Sequence, residues 1–477
     1  MKGSRLNEML SSLSKEEFTG LNEFLLSPYL NKNKQVILFY YFLSAKQVHP
    51  DYSKIQREEV FEYVYKGQEF NLDKYLKLCS DFVKALENFL ICELRSDRDL
   101  MNKRRLLEIS GSRNLQKTFS KYSGELNHKF NSEFNKDLDF YLTEYECKVE
   151  SVMYNFSSKN FNLEKALLEI NEIINIVIVH SKLELMIKLF HITERKNRIW
   201  FDKETLNFAE RNKNSLQLRH PMIYLRYLIL KMFSDSDAVV YKQIKSFVSK
   251  NENKFSKDNL RYVYDKMITF CNLNGTDEFK SEEFKIIKSL DKNSLIACGN
   301  DNIDYVYFLK VVDTSLSEND SYWAESFVNK YNEKLEPEFS QSSLNLAMAS
   351  VLIYRHKYKE ALDHVSKVDF LNDFFYLSSK SMSLIIFYEL KDLQSVNYVL
   401  DAFSVYLNRN KHKKDFDFIS YKSFLTVYKQ ILSFTTKNKK STDKKSLFDK
   451  INNDQTLLNK DWFLRKLASI EIGNKNN

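Results

Sequence analysis

Glycine and proline are scarce in this sequence, with 8 glycines and 4 prolines among 477 residues. Average proteins contain about 7% glycine and about 5% proline. Sandwiches, barrels and doubly wound sheets need these residues at their many tight turns and crossovers. Helical hairpins can instead be closed with Asn, Asp, Ser and Lys. The scarcity therefore predicts an all-α fold and argues against an α/β enzyme.

Cysteine is also sparse, and its spacing suits neither disulfides nor metal sites. The five cysteines are odd in number and far apart, and no CxxC pair occurs. A disulfide framework and a zinc site are therefore not indicated. The first residues lack an apolar signal segment, and no run reaches the ~18–20 apolar residues that span a bilayer. We therefore expect a cytoplasmic protein without membrane insertion.

Catalytic and nucleotide-binding motifs are missing as well. The sequence contains no GxxxxGK[ST], GxGxxG, GxSxG or HExxH motif, so phosphate-binding loops and the common nucleophile and zinc arrangements are not indicated. Glu125-x-x-His128 has the spacing of part of a di-iron site. That site needs a second such pair and two more carboxylates, and the sequence offers no second copy. We expect no enzymatic activity, no metal and no cofactor.

Hydrophobic residues, in contrast, are plentiful. They make up 43% of the chain, and 37 Phe and 28 Tyr contribute to an aromatic share of 14%. That content can fill a large packed interior and excludes a chain that is disordered throughout. Because single cores stop growing at about 250–300 residues, we expect two globular units or one elongated repeat array.

The N-terminal segment has the pattern of successive amphipathic helices. The stretch SKEE, which starts at Ser14, has the form of a capping box, and apolar residues follow at helical spacing until Pro28. Further helices are predicted over Val36–Leu43, after Ser53, and over Asn71–Arg98. The segments "LSKEEFTGLNEFLLSPYLNKNK" and "FNLDKYLKLCSDFVKALENFL" resemble the N-terminal part of an uncharacterised bacterial helical-repeat family without an assigned activity. We predict a separate N-terminal helical unit over residues 1–99.

The strongest repeat signal lies in the C-terminal half. The segment "NLAMASVLIYRHKYKEALDHVSKV" resembles a tetratricopeptide unit, with Ala349 and Ala361 at the two small positions where paired helices approach closely. About 35 residues later, "FYELKDLQSVNYVLDAF" repeats the arrangement with Val396 in the place of Ala361. The tetratricopeptide period is about 34 residues. The resemblance implies helical hairpins stacked as a tetratricopeptide-like α-solenoid, which we assign to residues 100–434.

Positive charge is concentrated at the C-terminal end. Residues 401–477 contain 16 Lys or Arg and 8 Asp or Glu, and they account for the whole net charge of +8. The stretch from Thr435 to Lys450 contains six lysines and little apolar content, which predicts an exposed linker. A C-terminal capping helix is predicted over Asp461–Ile472. Residues 435–477 are the third predicted segment.

These features predict a non-enzymatic scaffold or adaptor for protein–protein interaction. Its helical-repeat groove would bind a protein or peptide partner as a helix or as an extended segment. The alternative is a nucleic-acid- or ribosome-associated protein that uses the basic C-terminal region. The predicted groove or rim residues are Tyr354, His356, Lys357 and Asn397. The lysines predicted for nucleic acid are Lys437, Lys439, Lys440, Lys444 and Lys445.

Overall fold

The fold is all-α in the part of the chain that the structure, a computed structural model, describes. Those residues are 4–46, 52, 55–93, 98–156, 161–192, 202–235, 237–297, 302–410, 412, 416–436, 441–454 and 456–470. They form 24 α-helices and no β-strand, and one isolated bridge pairs Ile303 with Leu335. The all-α prediction is confirmed. None of the described helices is both long and apolar enough to cross a membrane.

The chain divides into two compact units. Unit 1 comprises residues 1–133 and 138–177, and unit 2 comprises residues 134–137 and 178–477. The first eight helices belong to unit 1: α1 (Arg5–Ser12), α2 (Lys15–Leu26), α3 (Lys34–Lys46), α4 (Arg57–Val64), α5 (Leu72–Glu93), α6 (Arg98–Ser112), α7 (Gln116–Ser132) and α8 (Leu138–Asn155). Helix α9 (Leu163–Ile192) begins in unit 1 and ends in unit 2.

Unit 2 contains the remaining fifteen described helices. They are α10 (Lys203–Arg211), α11 (Lys213–Arg219), α12 (Pro221–Asp235), α13 (Ala238–Asn251), α14 (Lys257–Asn274), α15 (Asp277–Lys292), α16 (Tyr305–Ser317), α17 (Ser321–Tyr331), α18 (Pro337–Tyr354), α19 (Tyr358–Ser366), α20 (Asp373–Glu389), α21 (Leu393–Arg409), α22 (Phe416–Thr436), α23 (Ser441–Asn453) and α24 (Lys460–Ser469).

Helices α1–α5 of unit 1 share one apolar core. Helix α5 contacts α1, α2 and α3, and Leu10, Phe39 and Phe82 are fully buried among them. The capping box at the start of α2 is confirmed. The Ser14 amide donates to Glu17 Oε2 at 2.7 Å, and the Glu17 amide donates to Ser14 Oγ at 3.1 Å. Helix α4 begins only at Arg57, and the predicted cap at residue 53 lies outside the described residues.

Helices α12–α22 of unit 2 pack mainly against their neighbours in the chain. Helix α16 contacts α17 and α18, α18 contacts α19 and α20, and α20 contacts α21 and α22. Ala349 of α18 and Ala361 of α19 are both fully buried in one apolar cluster with Ile386 of α20. The two small positions predicted from the sequence therefore lie where α18 and α19 pack together. Val396 is fully buried in the neighbouring cluster.

Three hairpin turns of unit 2 share one backbone arrangement. Their middle residues, Asn319, His356 and Lys391, are left-handed, with φ of 62°, 61° and 58°. In each turn, the amide of the residue after the left-handed one donates a hydrogen bond to the carbonyl five residues earlier. Turns of this kind usually have glycine at the left-handed position. Because Asn, His and Lys occupy it here, the turns need no glycine. The closing bonds are Asp320 to Ser315 at 3.0 Å, Lys357 to Leu352 at 2.9 Å, and Asp392 to Phe387 at 3.0 Å.

The sequence predicted an exposed linker over residues 435–450, and this prediction is wrong from Ser441 onward. Residues from Ser441 onward form α23, and its Leu447 and Ile451 are buried in a core with Trp462 and Phe463 of α24. Leu447 and Ile451 stand at i, i+4 spacing, so they form an apolar stripe on one side of a lysine-rich helix. Because this segment contains so many lysines, the sequence analysis did not identify the apolar stripe. Residues 437–440 lie outside the described part of the chain.

Glu389, the last residue of α20, links α20 to α24. Its carboxylate accepts hydrogen bonds from Trp462 Nε1 at 2.7 Å and from Lys466 Nζ at 2.7 Å. Only 11% of the Glu389 side chain is exposed. Charge-assisted bonds in such a setting are stronger than bonds between neutral groups. Glu389 therefore anchors α24, the predicted C-terminal cap, onto α20.

We expect Lys391→Gly to stabilise the chain by about 1 kcal/mol, because the left-handed conformation costs an L-residue about 1–2 kcal/mol and costs glycine little. Thermal unfolding followed by circular dichroism measures the gain. Lys391→Ala is the matched control and should give none, since alanine keeps the Cβ atom. A lower melting temperature for Lys391→Gly than for wild type would contradict the left-handed turn.

We expect Glu389→Ala to lower the free energy of unfolding by about 2–3 kcal/mol, because it leaves the Trp462 N–H and the Lys466 ammonium without their shared acceptor. Urea unfolding measures the loss. Glu360→Ala is the control, since Glu360 pairs only with Lys357 at an exposed site and such pairs contribute about 0–1 kcal/mol. Equal losses for the two variants would show that Glu389 does not anchor α24.

Candidate functional site

Helix α16 carries a carboxyl group that is exposed to solvent and yet strongly desolvated. The Asp313 side chain is exposed, but burial by surrounding protein raises its pKa to about 6, while a hydrogen bond with the Ser350 side chain acts in the opposite direction. Among the described residues, no cation contributes to the pKa of Asp313.

Tyr307 of α16 and Asp265 of α14 lie close together. Tyr307 lies on α16 two turns before Asp313 and is half-buried; burial raises its pKa, and the nearby carboxylate of Asp265 raises it further. Asp265 on α14 is exposed, and its Oδ2 lies 3.9 Å from Arg261 Nε. Burial raises the pKa of Asp265. Helices α14 and α16 therefore place carboxyl and phenol groups side by side.

Tyr262 adds an aromatic ring with two cations to this surface. Arg226 Cζ lies 5.8 Å and Lys266 Nζ lies 5.5 Å from the centroid of the Tyr262 ring. Both are within the range of cation–π attraction. Burial raises the pKa of Tyr262 and lowers the pKa of Lys266. The surface formed by Tyr262, Asp265 and Tyr307 is called the α14–α16 face below.

The α14–α16 face is suited to recognition by hydrogen bonds and charge. It offers one carboxyl group, two phenol groups and adjacent cations, and tyrosine is enriched among residues that dominate binding energies. Within the described ranges, no group of three or more His, Cys, Asp or Glu side chains could hold a metal ion. In unit 1, Glu125 pairs with Lys103 at 3.0 Å, and that lysine also pairs with Asp99 at 2.9 Å.

Three of the predicted groove residues lie together at the turn between α18 and α19. The half-buried Tyr354 donates its hydroxyl to Asn319 Oδ1 at 2.9 Å, in the preceding turn. The exposed His356 is the left-handed residue, and its Nδ1 lies 2.7 Å from the Tyr358 hydroxyl. Lys357 is exposed and precedes α19. Tyr354 and His356 therefore make local contacts that tie the turn to its surroundings.

The other predicted residues are dispersed. Asn397 is exposed on α21, away from the α18–α19 turn in the sequence. Lys444 Nζ donates to the carbonyl oxygen of Ile470 at 2.7 Å, beyond the last turn of α24, so this lysine has a structural contact. Lys445 is exposed. Lys437, Lys439 and Lys440 lie outside the described residues.

The sequence analysis missed Asp313 and Tyr307. The available signal was the sequence of α16, YVYFLKVVDTSLS, which is apolar except for a few positions. An acidic residue in a largely apolar helix was a recognisable feature. Asp265, the α14 neighbour of Tyr307, lies about 40 residues away in the chain and could not be assigned to the same surface by spacing.

The stability of the chain should depend on Asp313 in a pH-dependent way. The folded carboxyl binds its proton near pH 6 and the unfolded one near pH ~3.9, so stability contributed by the protonated form falls as pH rises between those values. We expect Asp313→Asn to raise the melting temperature at pH 7.5 more than at pH 4.5, although solvent screening reduces the effect.

The matched control for this measurement is Asp363→Asn, which removes an exposed carboxyl group on α19. Its melting temperature should not rise specifically at the higher pH. Melting temperatures from differential scanning calorimetry at the two pH values provide the comparison. An equal effect of Asp313→Asn at pH 4.5 and pH 7.5 would contradict the desolvated carboxyl.

Unit 2 therefore combines a polar face with a set of hairpin turns that share one backbone conformation. The two sequence resemblances, to an uncharacterised bacterial family at the N-terminus and to tetratricopeptide units near residues 345–403, stay predictions. The functional argument rests on this chain alone, because no family model, no curated protein and no solved structure matches it.

Proposed function

We propose that this chain is a non-enzymatic scaffold or adaptor that binds a protein or peptide partner through a groove between its helical hairpins. The proposal includes a tetratricopeptide-like solenoid and a cytoplasmic location. The observation that carries it is Asp313, an exposed carboxyl group whose pKa is raised by desolvation in the surrounding protein. Among the described residues, no cation lowers that pKa. Desolvating an unpaired charge costs free energy. A partner that supplies a cation to Asp313 would recover part of that cost.

The regularity of unit 2 supports the repeat arrangement. Asn319, His356 and Lys391 follow one another after 37 and 35 residues and have the same backbone conformation, close to the ~34-residue tetratricopeptide period. The contacts of α16, α18 and α20 with their next neighbours have the order expected of stacked hairpins. Stacked hairpins of one hand form an extended concave surface, which is the usual binding surface of such proteins.

The α14–α16 face supports a polypeptide partner in particular. Phenol and carboxyl groups can bind the backbone amides and the cationic side chains of a peptide, and the rings of Tyr262 and Tyr307 add contact area at low entropic cost. Asp265 already has Arg261 close by. Asp313 lacks such a cation among the described residues, so we expect it to contact a lysine or arginine of the partner.

The alternative, binding of nucleic acid through the basic C-terminal region, stays a prediction. One of the five lysines predicted to bind nucleic acid, Lys444, already donates a hydrogen bond to the Ile470 carbonyl within the chain. Neutralising several phosphates makes affinity fall steeply with salt concentration. Retained affinity after changing the five lysines to Gln would count against this alternative.

The scaffold proposal is tested by capture from a lysate of the native host, with and without nuclease, followed by mass spectrometry. The tagged full chain, Asp313→Lys and the control Asp363→Lys are compared. We expect defined proteins that survive nuclease and are retained by Asp363→Lys but lost with Asp313→Lys, because a like charge would repel the partner's cation. Capture of the same proteins by all three chains, or only of proteins that vanish with nuclease, would overturn the proposal.

A further inference from the structure

Helices α20 and α21, with the segment before α20, carry an aromatic cluster around one lysine. The cluster, called the Lys380 cluster, consists of Phe370, Tyr376, Lys380, Tyr398 and Tyr406. The Tyr376 ring lies 4.2 Å from the Tyr406 ring and 5.1 Å from the Phe370 ring, measured between centroids. Lys380 Nζ lies 5.4 Å from the centroids of both Phe370 and Tyr376. Two rings therefore flank the ammonium group.

The aromatic part of this cluster is unusually open to solvent. The exposed fraction is 55% for Phe370 and 77% for Tyr398, and the adjacent Leu371 is 43% exposed. Large apolar side chains that are exposed next to one another mark interaction surfaces, whereas singly exposed ones are ordinary. Aromatic residues are also enriched in the cores of protein interfaces.

Lys380 is half-buried and yet has no carboxylate partner among the described residues. Burial lowers its pKa, and no acidic group counteracts that effect. In the described part of the chain, its ammonium takes part in no hydrogen bond and no ion pair. Three lysines of unit 2 that do pair are Lys288 with Asp320 at 2.8 Å, Lys330 with Asp291 at 2.6 Å, and Lys466 with Glu389 at 2.7 Å.

The acidic residue at the start of α20 does not satisfy Lys380. Asp373 stands seven residues earlier on the same side of the helix, about 10 Å away along the axis, and it accepts a hydrogen bond from the Tyr406 hydroxyl. The rings of Phe370 and Tyr376 attract the ammonium but accept none of its three N–H donors as a carboxylate would. These donors remain available to a group from outside the chain.

We propose that Lys380, with the rings of Phe370 and Tyr376, is a recognition subsite for an acidic side chain of a partner polypeptide. An apolar or aromatic side chain next to that acidic residue packs on Phe370 and Tyr398. This inference rests on the proposed scaffold function and adds the chemistry of the partner. Since Asp313 calls for a cation and Lys380 for an anion, the partner segment carries both signs of charge.

A purely structural role predicts a different outcome. In that case the aliphatic part of Lys380 covers the aromatic rings and its ammonium simply reaches water. Lys380→Met keeps the aliphatic packing and removes the charge, so it leaves the fold intact under either explanation. Only the subsite predicts that this variant loses a partner.

The test uses a phage-displayed library of random peptides, selected on the immobilised full chain. We expect enriched peptides to share an Asp or Glu beside an aromatic or aliphatic residue. Fluorescence anisotropy of a synthetic peptide should show binding roughly tenfold or more weaker for Lys380→Met, because a charge-assisted hydrogen bond is lost. The same loss is expected when the peptide acid is changed to its amide. The control Lys359→Met, at an exposed position of α19, should bind as wild type does.

A second readout needs no variant. Acetylation by an N-hydroxysuccinimide ester, followed by peptide mapping, should show that the bound peptide protects Lys380 and leaves Lys359 reactive. Enriched peptides without an acidic residue, or an unprotected Lys380, would overturn the subsite and leave the scaffold proposal standing. A library without any peptide enriched above background would overturn both. If Lys380→Met fails to fold, the amide peptide and the protection of Lys380 decide the question.

Discussion

The apolar sides of helices α16–α22 in unit 2 are buried against neighbouring helices. The packing of α18 shows this arrangement, since it contacts α16 before it and α19 and α20 after it. Ala349 and Ala361 are small enough for α18 and α19 to pack closely, and Ile386 of α20 completes their apolar cluster. Burial of such clusters is the main favourable contribution to the fold. The other features of unit 2, its turns and its charged face, depend on this stacking.

The turns and the C-terminal contact of α24 keep the hairpins in position. The turns at Asn319, His356 and Lys391 use the same left-handed conformation, so the helices on either side leave each turn in similar directions. Glu389 holds α24 against α20 through two charge-assisted or polar bonds. Rigid elements of this kind hold recognition groups in fixed places, which lowers the entropic cost of binding.

Unit 2 also has two charges without an oppositely charged partner among the described residues. Asp313 is exposed but desolvated, and Lys380 is held between two aromatic rings without a carboxylate. Charges that lower stability without helping the fold are typical of functional surfaces. Because the two charges have opposite signs, a partner segment that pairs with both must carry a cation and an anion.

The sequence by itself determined the fold class, the capping box at Ser14 and the small positions Ala349 and Ala361, because these depend on local spacing and composition. It misjudged α23, where lysines obscured the apolar pair Leu447 and Ile451. Tertiary structure alone decided the α14–α16 face and the Lys380 cluster. Their residues come from different helices, and whether a charge is desolvated or paired depends on atoms that are distant in the chain.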